Sequence, residues 1–501
     1  MTLMGPVLYF RGAEAGAWRL SALLMAHVEP PPLLTRTCRA MPLRLAERCG
    51  CSLWRYDFAL PTRSSPCCHE YRVGDHSWHI HLPATGALRM AYVACNGTEV
   101  KNLWTCGRQR NERWLHLAAE HAKNPFHLLL HGGDQLYADA LWQDVPAFAE
   151  WRQQSWRQRR KASFTPGMAE AARDFFWNSY CHLWSQPELA PILSSVPSLM
   201  MWDDHDIIDG WGSYAADWSE SAMFQGLWSA AREHFALFQL AAHPHDLPEG
   251  FTDRRGKQFG WAYRLGEIGI VAPDLRSERT RDRVMGKAGW SAFKASLEHM
   301  ADCRHVLLLS SVPLVNVHLH GLERLFGLVP GHQEWQDDLI DQWPSLAHWD
   351  EWTCLLRTLL RFSTERRVQV TSLSGEIHLG SWGMIESGTT EIHQLTSSGI
   401  VHPPPSALAV ALLERIGAKP LQPASDLSAR LLPLPGLGRR FMRARNWLEI
   451  EFTAAGDLAA TWHGAGVTSR LTIADHIHRI DPGTILDTPC VLDSKDESVD
   501  R

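Results

Sequence analysis

Phe126-His127-Leu128-Leu129-Leu130-His131-Gly132-Gly133-Asp134-Gln135-Leu136-Tyr137 reads as a short apolar strand that stops at two glycines and opens onto a carboxylate and a phenol. A compact apolar run of this length, closed by Gly-Gly, is a buried strand with a tight turn after it. The glycines allow a backbone path that frees the Asp134 side chain to point into a site. A carboxylate so placed can bridge two cations. A phenolate ligand at Tyr137 needs a strongly acidic cation such as Fe³⁺, because a free phenol titrates near 10. Asp139 is either a supporting group or the cap of a following helix. The structural alternative is a Gly-Gly turn with an Asx cap and a packed tyrosine.

The same pattern recurs on both sides of this stretch. Apolar runs at 90–94, 199–202, 268–272, 306–309 and 368–373 also read as strands, with helical patterns between them at 175–184, 221–242, 291–299 and 352–362. Strands alternating with helices give a layered α/β core, in which ligands sit beyond the carboxyl ends of the strands. The residues at those ends are polar. Cys95-Asn96 follows the first run, and a thiolate there suits iron or zinc, although a buried inert thiol fits the position too.

Asp203-Asp204-His205-Asp206 follows the run at 199–202, and burying such charge without a cation is expensive. His205 would then bind a phosphoryl oxygen or protonate a leaving group; an ordinary acidic surface loop is the alternative. Ser374-Gly375-Glu376-Ile377-His378 follows the run at 368–373, and its glycine allows Glu376 and His378 to converge on one cation. At Pro273-Asp274-Leu275-Arg276, Arg276 either orients an oxyanion through its bidentate fork or pairs with Asp274.

Composition narrows the class. The chain has 501 residues, 45% of them hydrophobic and 21% charged, which is ordinary for a globular protein and long enough for a large core plus accessory elements. A net charge of -6 gives no electrostatic footprint for nucleic acid or an anionic membrane, and no 18-residue apolar run occurs. Twenty-three tryptophans point to buried or pocket-lining indoles. The eleven scattered cysteines read as free thiols, and the N-terminus lacks a basic leader, so the expected setting is cytoplasmic. The basic, Trp-containing run at 151–161 reads as a solvated helical face, the alternative being a partner or substrate surface.

Three regions are expected. Residues 1–86 carry short strands near 6–10, 21–28, 53–60 and 77–82, punctuated by prolines, and read as a small β-rich N-terminal domain or an irregular extension. The segment from Pro83 to Gly86 marks its end. Residues 87–402 carry the catalytic pattern. Residues 403–501 begin with Pro403-Pro404-Pro405 and continue as a helix at 407–416, a Pro/Gly-rich loop at 420–438 and a hairpin at 446–463, packed on the core.

Taken together, Ala94-Cys95-Asn96, Gly133-Asp134-Gln135-Leu136-Tyr137-Ala138-Asp139, Trp202-Asp203-Asp204-His205-Asp206, Asp274-Leu275-Arg276 and Ser374-Gly375-Glu376-Ile377-His378 resemble the PhoD-like (alkaline phosphatase D-like) branch of the calcineurin-type metallophosphatases. Asp341-Gln342-Trp343 before a helix fits as well. The resemblance implies a four-layer α-β-β-α double sandwich with a binuclear metal site at one end. Carried over, it makes Asp134 the bridging ligand and makes Cys95 and Tyr137 ligands of a ferric ion. Asp204, Glu376 and His378 then lie around a second cation, calcium or another divalent ion, and His205 is the phosphate-binding or acid group. The family pattern has Asp where this chain has Glu376.

The implied reaction is hydrolysis of a phosphomonoester or phosphodiester of a small phosphorylated substrate, with His205, Asp204 and Arg276 as catalytic groups. Another iron-dependent hydrolase, or a non-catalytic scaffold on the same core, is the alternative.

Overall fold

The computed structural model describes residues 2–84, 86–98, 106–317, 341–453 and 455–475. The boundary expected at 83–86 therefore includes one residue, Thr85, outside the described set, and so does the end of the C-terminal region beyond 475.

Two large sheets form the core. At the centre of the first, Leu88–Val93, Leu128–Gly132 and Ser198–Met201 run parallel, and Thr2–Glu14 continues the parallel order beside Ser198–Met201. All three central strands are buried along their whole length, which is why they read as unbroken apolar runs rather than alternating ones. In the second sheet Ile268–Ala272, His305–Ser310, Gln369–Ser374 and Thr390–Thr396 are parallel neighbours. Every run expected to be a strand is one.

The sheets pack face to face. Trp261 Nε1 donates to the Met200 carbonyl at 2.9 Å, Trp462 Nε1 donates to the Thr396 carbonyl at 2.8 Å, and Phe10 meets Tyr263 edge-on at 5.6 Å. Indole serves this seam well because it supplies a large apolar body with one donor that must find a partner. Among the described residues eight tryptophans, Trp202, Trp261 and Trp462 included, are less than 2% exposed. Helices Glu112–Lys123 and Pro166–Trp184 cover the outer face of the first sheet, while Lys287–His299 and Trp349–Arg366 cover the second. The result is the four-layer α-β-β-α sandwich.

Local chemistry starts and stops these helices. Thr165 caps Pro166–Trp184 by accepting from the Met168 amide, with Pro166 in the first turn, and Ser221 caps Ala222–His234 in the same way. Arg367, left-handed at φ 54°, ends Trp349–Arg366. The basic run at 151–161 forms the ends of two short helices, Pro146–Gln153 and Trp156–Lys161. Its Trp151 is buried against Trp142, whereas Arg152 and Arg157 face solvent.

The flanking regions are woven into the core. Ala17–Ala26, Cys51–Pro61 and Leu43–Arg48 extend the first sheet beyond Thr2–Glu14, and Asn446–Phe452, Leu458–Gly464 and Val467–Ile473 extend its other edge. The expected boundary near 87 thus falls between strands of one sheet. Leu33–Thr35, Arg39–Ala40, Cys67–Val73 and His76–Leu82 make a separate four-stranded sheet. The run at 420–438, expected to be loop, instead contains the hairpin Leu421–Ala424/Leu427–Leu432 on the edge of the second sheet. Nine described cysteines are free, but Cys354 is disulfide-bonded, so the all-free reading of the thiols does not hold. No helix among the described residues is long and apolar enough to cross a membrane.

Candidate metal centre

Because the central strands are parallel, their carboxyl ends lie at one edge. The loops leaving Leu88–Val93, Leu128–Gly132, Ser198–Met201, Ile268–Ala272 and Gln369–Ser374 carry Cys95, Asp134, Asp203 to Asp206, Asp274 to Arg276, and Glu376 to His378. Backbone strain marks this place. Eight described non-glycine residues have positive φ, and four of them are Cys95 (54°), Asp134 (56°), Glu376 (64°) and His378 (54°). Such conformations cost about 1–3 kcal/mol each and persist where the surroundings impose them, typically at functional sites.

Asp206 imposes part of this geometry. Its carboxylate accepts from the amides of Asp134 (2.9 Å), Asp203 (3.0 Å) and Leu136 (3.0 Å) and from Gln239 Nε2 (2.8 Å). One buried side chain thereby ties the 134 loop to the 203 loop. Close approach does the rest. A Cβ on Gly133 would lie 2.6 Å from the Asp203 Cβ, and one on Gly97 would lie 1.9 Å from the Tyr137 ring.

The buried carboxylates of Asp134, Asp203 and Asp204 offer oxygens within 4.8 Å of one another. Asp134 Oδ1 is buried with no hydrogen-bond partner, and so is Glu376 Oε2. Cys95 Sγ lies 3.4 Å from Asp134 Oδ2 and 3.0 Å from Ser398 Oγ. Tyr137 Oη lies 3.2 Å from Nε2 of His378. Donors on adjacent corners of a coordination polyhedron with bonds of about 2.0–2.2 Å stand roughly 3 Å apart, which these pairs approach. Burial, then Asp204, pushes the Asp134 carboxyl well up; burial, then Asp134, pushes up the Cys95 thiol; burial, then Cys95, pushes up the Tyr137 phenol. Burial also raises Glu376, with Asp341 adding to it. Clustered acids held in their neutral forms by burial and mutual repulsion are what a bound cation reverses, since it favours every ligand's charged form. The donor set fits metal: thiol, phenol and imidazole on one side, carboxylates on the other.

His205 stands at the mouth. Its Nδ1 donates to Asp139 Oδ2 at 2.5 Å, and its ring stacks on Tyr137 at 4.0 Å. Burial disfavours its charge, but Asp139 and Asp204 outweigh burial and hold it protonated well above the usual imidazole range. Asp139 also accepts from the Asp209 amide at 2.8 Å, so it positions the imidazole rather than capping a helix.

Two residues of the expected set face partners other than those expected. Arg276 is fully buried and every donor of its guanidinium is used: Nε on Asp203, Nη1 on Asp341 (2.8 Å) and the Trp211 carbonyl (3.1 Å), Nη2 on Asp341 (2.8 Å) and Asp204 (3.3 Å). It has no N–H left for a substrate oxyanion, and Asp274 accepts from its backbone amide rather than its side chain. In this geometry the Arg276 side chain braces Asp203, Asp204 and Asp341. His378, grouped above with Asp204 and Glu376, instead puts its Nε2 beside Tyr137. Glu376 keeps to the carboxylate side, half-buried, with Oε1 accepting from Gln342 Nε2 at 2.6 Å. Asp203, quoted in its motif but given no role, joins Asp134 and Asp204. Its adjacency to Asp204 was the available signal.

The PhoD related phosphatase family matches residues 111–333. An uncharacterized protein of Saccharomyces cerevisiae, YGR266W, is 24% identical over 496 residues, across 79% of this chain and 70% of that protein. The solved structure of PhoD superposes with a TM-score of 0.54 at 12% identity, covering 93% of this chain and 88% of that one. A dimetal phosphatase from Danio rerio gives a TM-score of 0.35 at 10% identity, covering 78% and 99% of the two chains.

Proposed function

We propose that this chain, PhoD-like in sequence and in fold, hydrolyses phosphoric esters of small molecules at a binuclear metal centre. The observation that carries the reading is the convergence of Asp134, Asp203 and Asp204, with one Asp134 oxygen unpartnered and the other 3.4 Å from the Cys95 thiol. Asp134 would be the ligand common to both cations. Cys95, Tyr137 and His378 would hold the softer, more acidic cation, with Fe³⁺ favoured by thiolate and phenolate; Asp204 and Glu376 would serve a harder one such as Ca²⁺. When bound, the pair of cations lowers the pKa of a water and offsets charge on the phosphoryl oxygens. The chain supplies orientation and a proton. His205, tethered through Nδ1 to Asp139, presents Nε2–H to the departing or phosphoryl oxygen. Arg276 keeps Asp203 and Asp204 in place without touching substrate.

Protein purified without added metal is expected to contain iron and to show a visible tyrosinate-to-iron band. It should hydrolyse an aryl phosphate or an aryl phosphodiester, with activity lost on chelation. A chain that takes up no iron after reconstitution and shows no band sinks the Cys95/Tyr137 assignment. A chain that binds metal stoichiometrically but hydrolyses neither ester class favours the scaffold reading. Glu376→Asp withdraws the carboxylate by one methylene from a position where Gln342 already holds Oε1. The expected outcome is weaker uptake of the harder cation and about a 10–100-fold fall in kcat/KM, with iron content unchanged. A cytoplasmic setting belongs to this proposal; nine free cysteines support it and the bonded Cys354 stands against it.

A further inference from the structure

We infer that helix Ala407–Ile416 is a membrane-docking element, which seats the chain on the surface of a bilayer containing anionic phospholipid. The inference goes beyond the metallophosphatase reading and does not depend on it.

This helix is apolar on the side where a surface helix is normally polar. Ser406 starts it by accepting from the Ala409 amide, and no polar side chain follows until Glu414. Val410 is buried, and Leu413 and Ile416 pack beside it on the core of the second sheet. Leu408, Ala411 and Leu412 lie on the opposite face, at the i, i+3, i+4 spacing of one helical stripe. All three are exposed, and at 83% Leu408 is the most exposed large hydrophobic among the described residues, with Leu412 at 56%. A helix that is apolar on both faces belongs in a core or against a partner.

Charge identifies the partner. From residue 403 to 445 the chain has seven basic and two acidic residues, a local excess concealed by the net charge of -6. Three of the seven face carboxylates: Arg430 with Glu386, Arg440 with Glu414 and Arg445 with Glu112. Arg415, Lys419, Arg439 and Arg443 are exposed and have no ion pair among the described residues. They border the apolar face. Arg415 and Lys419 stand at the end of the helix, and the 439–443 segment runs alongside it: the Phe441 amide donates to Glu414 at 2.9 Å and Arg443 Nε to the Pro405 carbonyl at 2.9 Å. Exposed leucines bordered by unneutralised cations match an anionic bilayer, whose acyl boundary takes the leucines and whose headgroups meet the cations. A second copy would bring the same four cations against their like. The helix also adjoins the candidate centre: the His402 amide donates to the Cys95 carbonyl at 3.3 Å, its ring stacks on His378 at 3.5 Å, and Pro403 to Ser406 join it to Ala407.

The test sediments the full chain with vesicles of phosphatidylcholine alone and of phosphatidylcholine mixed with phosphatidylserine. Two double variants accompany it: Leu408→Ser with Leu412→Ser removes the apolar face, and Arg415→Gln with Arg439→Gln removes charge beside it. Wild type is expected to bind the mixed vesicles at least about 10-fold more tightly than the neutral ones, and less tightly as salt is raised. Each double variant should bind the mixed vesicles at least about 10-fold more weakly, with the unfolding midpoint of wild type, because the altered side chains are exposed. A wild type that binds neither vesicle overturns the inference, and so does a serine variant that binds as wild type does. A serine variant with a lowered unfolding midpoint overturns it in favour of a face covered by another part of this chain. One that converts a dimer to a monomer overturns it in favour of a second copy. Vesicle binding by a chain that hydrolyses no phosphoric ester supports the inference while removing the metallophosphatase reading.

Discussion

Asp134→Asn is expected to lower kcat/KM by more than about a thousandfold, over 4 kcal/mol of barrier, while leaving the metal-free fold as stable as wild type or more so. Asparagine is the informative substitution because residue 134 sits at φ 56°, where Asn is tolerated and Ala is strained. In the metal-free protein the Asp134 carboxyl is buried, repelled by Asp204, and has one oxygen without a partner. Replacing a carboxyl that is costly to bury with an uncharged amide therefore relieves a destabilising group. In the loaded protein the same charge would be shared between the cations of the thiol-phenol side and the carboxylate side. Function and stability move in opposite directions, as they do when an active site stores electrostatic strain. Steady-state kinetics, metal content and denaturant unfolding of the chelated protein check this together. An Asn variant that keeps its metals and its rate would remove Asp134 from the centre.

Arg276→Met carries the second large effect, and it falls on stability. The substitution is close in length but leaves Asp203, Asp204 and Asp341 facing one another without their shared cation. Breaking a buried ion pair by removing one partner costs about 3–5 kcal/mol, and here Asp203 and Asp204 lose theirs while Asp341 keeps Arg279 at 3.2 Å. Expected results are poor yield of folded protein and a denaturant midpoint well below wild type. Arg276→Lys should recover only part of the loss, because an ammonium cannot reproduce five donors in a planar fork. The competing view, that Arg276 binds substrate, predicts wild-type stability with a depressed rate. Unfolding curves separate the two.

Much of this was legible without coordinates. The strands at 90–94, 126–130, 199–202, 268–272, 306–309 and 368–373 announce themselves because a parallel strand covered on both faces must be apolar throughout. The polar groups just beyond them are equally conspicuous, since few unpaired charges survive at the end of a buried strand. Less legible was the extent of the sheets. The first 86 residues read as a separate unit because Thr2–Glu14 has its parallel partner, Ser198–Met201, almost two hundred positions away. No local pattern encodes that pairing. The Pro/Gly-rich run at 420–438 misled for a related reason, as Pro423 sits in an edge strand, the place in a sheet where proline is tolerated.

The amino-acid order by itself determined which loops would meet, because parallel strands bring their carboxyl ends to one edge and these ends carry Cys95, Asp134, Tyr137, Asp204, His205, Glu376 and His378. Only the tertiary structure decided how those side chains sort. It turned Arg276 inward onto three carboxylates, set His378 against Tyr137 rather than Asp204, and brought His402 and Ser398 to Cys95. All three depend on contacts between loops far apart in the chain, and the placing of His378 and His402 also on left-handed backbone at His378 and Gly399. Periodicity and spacing report neither.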